Sequence, residues 1–465
     1  MRPLRYWLLS GAAGVSLLML YLSFFIHTGY AIDNTPLWQG IDFDFNQPGA
    51  RSRGIGGAFV GSADDATAAV ANPAGLAQLP GVQFTVEGRT TTYNSEDVSW
   101  GGNTEGKINN EDITDLSFFA ASFPVPIGKD SSLVGAVFFN KIANSDISIN
   151  LPAFKFDPNE KVTPGITITE DFDFFDYTAG NELEIDEYGF SAGMSFWDEK
   201  IMVGAGLSIL RLDLSSEFSG SASKSTGFGF GEDIPPESIS AHGNSLDVAY
   251  RFGLLFHPCE KLSIGGNISI MPQLEYETSY NISVFDHTTF DVSDFDYTDQ
   301  TQNLNIPDSY SIGATYRIRS DWYFFVEAKY IEYGDLMDGF RAPWGAVFDI
   351  GAYNQPGRYD IDDIWEYHLG TEYVYFMGET PIAFRLGTYF EPAHSLEFNA
   401  PPEEDVFNPE GAKMMEDLLD GGEDAWHFTF GLGTVIQNKY QIDFAADITD
   451  DQDKNTFILS GVYAF

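Results

Sequence analysis

The chain has 465 residues, 69 of them Asp or Glu and 24 Lys or Arg, for a formal net charge of −45. Nucleic acid is excluded as a partner, because phosphate binding needs clustered cations. An aromatic share of 15% and an apolar share of 43% exclude a disordered acidic protein, and the single cysteine, Cys259, excludes a scaffold stapled by internal disulfides.

At the amino terminus, Arg2 and Arg5 precede an apolar run from Trp7 to Ile26, and Gly29 and Ala31 then supply the small-x-small spacing of a signal peptidase site. Residues 1–31 are expected to be a signal peptide cleaved after Ala31. The run is also long enough to span a bilayer as an uncleaved anchor. No later segment reaches the ~18 uninterrupted apolar residues of a spanning helix.

Next comes "GARSRGIGGAFVGSADDATAAVANPAGLAQLPG", residues 49–81, small and alanine-rich in a chain otherwise loaded with Phe, Tyr and carboxylates. Gly54, Gly56, Gly57 and Gly75 permit close backbone approach. Ala58, Ala63, Ala66, Ala68 and Ala69 keep the stretch thin, at a spacing that suits a short helix begun by Asp64 or Asp65 and ended at Asn72-Pro73.

Beyond residue 81 the dominant signal is period two. In "LDVAYRFGLLF", Leu246, Val248, Tyr250, Phe252, Leu254 and Phe256 share one face and Asp247, Ala249, Arg251 and Gly253 the other. The same holds for "WYFFVEAKY", where Phe324 and Val326 oppose Glu327 and Lys329, and for "YQIDFAADI", where Ile442 and Phe444 oppose Asp443 and Asp447. A soluble sandwich would also alternate. Connection lengths separate the two: short turns such as "FWDEKI", "HPCEK" and "QNK" alternate with long acidic segments at 147–180, 216–243, 283–303, 334–361 and 392–424, the asymmetry of an outer-membrane barrel.

About fourteen antiparallel strands follow: 82–92, 114–123, 132–146, 182–197, 200–214, 244–256, 261–282, 304–318, 322–333, 362–376, 381–391, 425–435, 440–449 and 455–465. The apolar faces should meet lipid. Arg251, Glu327, Lys329, His368, Glu372, His427, Asp443 and Asp447 should line the lumen. The chain ends on "FILSGVYAF", with Phe457, Leu459, Gly461, Tyr463 and Phe465 at two-residue steps, a strand resembling the signal by which the barrel-assembly machinery recognises its substrates; Tyr463 and Phe465 are its candidate residues.

Other motif matches carry less. "GFSAG", residues 189–193, spells the nucleophile-elbow pattern, but it lies inside an alternating strand instead of a strand-turn-helix, so Ser191 is read as structural. "DDQDKN" at 450–455 and "DVSDFDYTD" at 291–299 offer alternating oxygens without the glycine and distal Glu of an EF-hand loop. Weak calcium binding by acidic loops is expected at most, with no cofactor, no dedicated metal site and no enzymatic activity.

The stretch from Gly49 to Gly81, with "RGIGGAF", "ADDATA" and "NPAGLA", resembles the amino-terminal hatch of the FadL-type outer-membrane transporters, a group that includes toluene and xylene channels. The resemblance implies an all-β transmembrane barrel, 82–465, whose lumen is closed by a hatch, 32–81. It implies passive uptake of hydrophobic small molecules, fatty acids, hydrocarbons or aromatics, with Arg51, Gly54, Gly56, Gly57, Asp64, Asp65, Asn72, Pro73 and Gly75 at the hatch. Arg51 should meet lumen carboxylates. A second reading is an anchor or shuttle in protein secretion, which a charged lumen without an apolar region would favour. A third, an outer-membrane hydrolase, needs a Ser, His and acid group that the strands do not supply.

Overall fold

The computed structural model describes residues 43–99, 105–126, 132–151, 155–156, 161–163, 166–167, 172–173, 176–221, 237–286, 291–338, 358–399, 416, 419–450 and 454–465. The expected leader and residues 451–453 of the acidic run 450–455 lie outside the described residues.

Fourteen antiparallel strands close into one barrel: β1 Gln83–Tyr93, β2 Ile113–Pro126, β3 Ser132–Leu151, β4 Asp176–Phe196, β5 Ile201–Ser221, β6 Glu237–Cys259, β7 Leu262–Ile270 with Gln273–Asp286, β8 Asp291–Asn305 with Ser309–Arg319, β9 Trp322–Ile331, β10 Ile364–Met377, β11 Thr380–Glu391, β12 Ala425–Ile436, β13 Tyr440–Thr449 and β14 Lys454–Ala464. A short hairpin, Glu96–Ser99 with Glu105–Asn110, extends the sheet beside β3. β1 closes the ring on β14 from Gln83↔Ala464 to Tyr93↔Lys454. Closure removes the open edge whose unpaired donors lipid would not satisfy.

Alternation decides the faces. Tyr250, Phe252, Phe324, Val326, Ile442 and Phe444 are exposed on the outer surface, whereas Arg251, Glu327, Lys329, Asp443 and Asp447 are buried inside. Phe465 is exposed on the same outer surface and stacks edge-on against Phe84 and Tyr463.

Several sequence expectations need correction. β3, β4, β5 and β6 run for 20, 21, 21 and 23 residues, about twice what a tilted strand needs to cross a bilayer. Parts of the acidic segments 147–180, 216–243 and 283–303 are therefore strand. In "SSEFSGS", residues 215–221, small and polar residues dominate and period two fades, whereas "ISINL" at 147–151 keeps the alternation. Trp197, read as strand, sits with Asp198 and Glu199 at positive φ in the β4–β5 turn.

Two breaks interrupt the ladder. Between β2 and β3, residues Ile113–Ser117 and Lys141–Asp146 do not pair, and β3 carries a bulge at Ile142. That break is bridged from inside: Phe43 forms a β-bridge with Ala143, the Asp44 amide donates to Ile142 O at 2.8 Å, and Asn144 donates to Asp115 at 2.9 Å. The second break lies between β6 and β7, where both β7 and β8 stop and restart, at Met271-Pro272 and at 306–308.

Candidate functional site

The amino-terminal segment Phe43–Gly81 packs against inward faces of strands on opposite sides of the barrel. Its first helix, Ala50–Gly54, lies on β11 to β14, and a 3-10 turn, Pro73–Gln78, lies on β3 to β6. The central helix covers only Ala68–Ala71, shorter than the alanine spacing suggests. Asp65 does not cap it; its carboxylate instead accepts from the Thr67 amide at 2.8 Å and from the Thr67 hydroxyl. Asn72 ends the helix in extended conformation and Pro73 opens the 3-10 turn, with Asn72 Oδ1 accepting from the Ala74 amide at 3.2 Å.

What allows this packing is a belt of strand glycines. A Cβ placed on Gly193, Gly204 or Gly253 would collide with the Asn72–Ala77 stretch, one on Gly265 with the Val60 backbone, and one on Gly370 or Gly387 with Ile55 and Gly56. Gly193↔Gly204 and Gly204↔Gly253 are register partners, as are Gly370↔Gly387, so the belt is continuous across neighbouring strands. On the segment side, Gly54 lies against the Gly431 backbone, Gly75 against Ala63, and Gly56 and Gly57 hold positive φ of 71° and 76°. Ser191 is buried in β4 and donates to Ala69 O at 2.6 Å. The G-x-S-x-G match is thus a docking surface for the segment, with its hydroxyl committed.

A charged layer joins segment and wall. Arg51 pairs with Asp64 of its own segment and, at 3.2 Å, with Glu372 on β10; Glu372 also accepts from Arg385 at 2.6 Å, and Arg385 pairs with Asp443 at 2.6 Å. Burial opposes the Arg51 charge, yet Asp64, Glu372 and Asp65 raise its pKa well above the usual arginine value. Burial, reinforced by Asp64, pushes the Asp65 carboxyl above its ordinary value. Asn72 donates to Val60 O at 2.8 Å and to Leu254 O on β6 at 3.1 Å. Glu327 accepts from the Val60 amide at 2.9 Å, His368 Nδ1 donates to Gly56 O at 2.7 Å, and Lys329 donates to Phe45 O and Glu366 at 3.0 Å each. Arg251 stands apart from the segment, paired with Glu187 at 2.9 Å.

The sequence reading missed Arg53, two residues after Arg51 in "RSR". Arg53 pairs with Asp447 on β13 at 3.1 Å and with Asp44 at 2.9 Å, and Asp447 also accepts from Tyr389 at 2.8 Å and from His427 at 3.0 Å. It missed Glu87 as well, which accepts from the Gly49 amide and from Ser117. A small polar cavity, lined by Arg53, Arg89, Asp115, Asn144 and Lys454 among others, lies where the segment meets β1 to β3.

On the side of this layer that faces the long connections, the interior turns apolar. Ile142, Leu183, Ile185, Leu210, Leu212, Leu214, Ala249, Leu274, Tyr276, Leu304 and Ile331 form one buried cluster with Phe43. Tyr333, Leu336, Tyr359, Ile361, Leu396, Phe398 and Leu419, from the connections after β9 and β11, fold in over it. Inward residues here are aliphatic, whereas a few residues lower they are charged on β4, β6 and β9, at Glu187, Arg251 and Lys329, and polar on β5, β7 and β8, at Ser208, Ser269 and Ser309. Periodicity along single strands showed which way each residue points, but the pooling of aliphatic side chains from six or more strands is a tertiary fact.

Among solved structures, the fold is similar to the monoaromatic hydrocarbon channel CymD at 13% identity, with 91% of this chain and 99% of that one covered and a TM-score of 0.57. It is similar to the Ralstonia pickettii toluene transporter TbuX at 13% identity, with coverage of 91% and 99% and a TM-score of 0.56. A Pseudomonas aeruginosa FadL homologue aligns at 16% identity, with coverage of 89% and 97% and a TM-score of 0.53. At such identities the likeness establishes the fold. No protein-family model and no curated protein matches the sequence.

Proposed function

We propose that this FadL-type barrel stands in a bacterial outer membrane and passes hydrophobic small molecules inward without energy input. The observation that carries the reading is the apolar cluster seated directly above the charged layer. Moving a hydrocarbon of ~200 Å² surface from water into such a region is worth about 5 kcal/mol before the cost of displacing side chains. The ligand enters from the long connections, replaces part of the packing around Leu212 and Tyr276, and is stopped by the amino-terminal segment. In this reading residues 32–81 are the plug, and Arg51, Arg53 and their carboxylate partners are the latch that must yield for passage.

The solved channels of similar fold are described as carrying monoaromatic hydrocarbons and toluene, which supports the same ligand class here. Export through cleavage near Ala31, and recognition of Tyr463 and Phe465 by the barrel-assembly machinery, complete the route to the membrane. The reading as a secretion anchor is favoured by a charged lumen without an apolar region, and the apolar cluster speaks against it.

Uptake of labelled toluene and labelled oleate by cells carrying or lacking the chain tests the proposal. Uptake should depend on the chain and should fall in Leu212→Asp, which puts a charge into the apolar cluster while leaving the outer face intact. Equal uptake with and without the chain would overturn it.

A further inference from the structure

One amide interrupts the aliphatic side chains that β3, β4 and β5 turn inward above the charged layer. On β4 the inward positions above Glu187 are Ile185, Leu183 and Asn181, which are 0%, 2% and 3% exposed. Asn181 stands in register with Ile147 of β3 and Ser216 of β5, and two residues lower Leu183 stands opposite Leu214. Ile147, Leu183 and Leu214 are buried, and the two leucines belong to the apolar cluster. Ser216 is half-buried. The Asn181 Nδ2 is buried among these neighbours and has no hydrogen-bond partner among the described residues. Its donors are therefore turned to an apolar interior.

A buried donor without an acceptor is uncommon in folded proteins, because the water that bonded it has been removed and nothing replaces it. In the free barrel that loss is already incurred. An arriving molecule with an acceptor gains a bond that a hydrocarbon of the same shape cannot make. A charged acceptor is treated differently, since the cations that neighbour the cluster along the strands are engaged. Lys329, two residues below Ile331, donates to Glu366 at 3.0 Å, and Arg251, two below Ala249, donates to Glu187 at 2.9 Å. Lys141, beside Ile142, pairs with Asp186 at 3.2 Å. A carboxylate entering the cluster would meet committed cations and their carboxylates, and an ion without a counter-ion in an apolar region is costly.

We infer that the interior selects uncharged apolar molecules bearing a hydrogen-bond acceptor, a carbonyl or ether oxygen, which takes the Asn181 amide while the apolar body lies among Leu183, Leu212 and Leu214. Asn181 is then a specificity-determining residue of the apolar interior. The inference rests on the transport reading above and narrows its ligand class.

Acetophenone, ethylbenzene and benzoate share a ring and differ in the group attached to it. Their dissociation constants are measured on the purified full chain, wild type and Asn181→Leu, and their uptake is followed in cells. The ratio of acetophenone to ethylbenzene affinity, compared between the two proteins, cancels the unequal ease with which the probes leave water. Asn181→Leu should lower that ratio about tenfold, the worth of one bond to a neutral acceptor. Benzoate should bind neither protein. A second readout needs no variant: the carbonyl stretch of isotope-labelled acetophenone should lie at lower frequency in the wild-type barrel than in alkane solvent. If Asn181→Leu fails to fold, that band decides alone. An unchanged ratio, an unshifted band, or benzoate binding as tight as acetophenone overturns the inference and leaves the transport reading standing. Absence of binding and uptake for both uncharged probes overturns both.

Discussion

Gly56→Ala isolates the contact between the amino-terminal segment and the wall. Gly56 holds φ of 71°, and a Cβ there would lie 2.9 Å from Leu369 O on β10 and from Thr388 N on β11. The left-handed conformation costs a side chain about 1–2 kcal/mol. Bringing the new carbon to an ordinary separation of ~3.5 Å means moving backbone, an overpacking cost of about 1–3 kcal/mol. Gly378 gives the control: its φ is 68° but nothing lies within 4 Å of its Cβ position, so Gly378→Ala carries the conformational cost alone. Because the atoms that Gly56→Ala meets belong to the docking contact, a total of about 2–5 kcal/mol falls on docking and shifts the docked-to-released ratio roughly thirtyfold or more. Single-channel recording in planar bilayers should show frequent open events for Gly56→Ala, rare ones for wild type and Gly378→Ala, with all three barrels folded by gel mobility. Equal conductance for Gly56→Ala and Gly378→Ala would refute the reasoning.

Three further outcomes are expected. Arg53→Ala leaves Asp447 with only Tyr389 and His427 and Asp44 with only Arg89, and should cost about 1.5–3 kcal/mol in denaturant titration, whereas Arg211→Ala, on the exposed outer rim, should leave the midpoint nearly unchanged; similar costs would mean that the inner pair is solvated. Phe444→Arg, on the outer face, should cost about 2–4 kcal/mol when refolding into vesicles is measured, while Ser460→Ala, buried on the inner face of the adjacent strand, should cost less; the reverse order would mean the register is wrong. Ser191→Ala should lose its bond to Ala69 O, raise the exchange rate of amides in residues 68–78, and leave ester hydrolysis at background, and a drop in hydrolysis would reopen a catalytic role for that serine.

The barrel was legible because lipid imposes period two on each strand, so "WYFFVEAKY" and "YQIDFAADI" disclose both faces without a partner in view. The upper ends of β4 to β8 were legible only in part, since above the bilayer the apolar face turns inward, as at Leu183 and Leu212, whereas lower on the same strands Phe190 and Leu207 face outward, so the period-two signal changes phase along each strand. The small-residue stretch around Gly56 could be read as something packed tightly. The complementary signal, a glycine in "SAGMSF", "VGAGLS", "RFGLLF", "HLGTEY" and "RLGTYF", was present too, but only the register of neighbouring strands turns those glycines into a belt. Arg51 was visible as a cation entering an acidic lumen. The partner of Arg53 was not, because Asp447 lies nearly 400 residues away in the chain. The apolar cluster draws on residues from β3 through β10 and escapes any reading along a single segment.

The most direct test removes residues 50–80 and measures two properties of the same barrel, conductance in planar bilayers and uptake of labelled toluene in cells. The strands close on one another through β1 and β14 without the segment, so the barrel should persist, leak small polar solutes and lose selective uptake of the hydrocarbon. Unchanged conductance would contradict the segment's place as the plug. Increased conductance with unchanged selective uptake would contradict its control of passage.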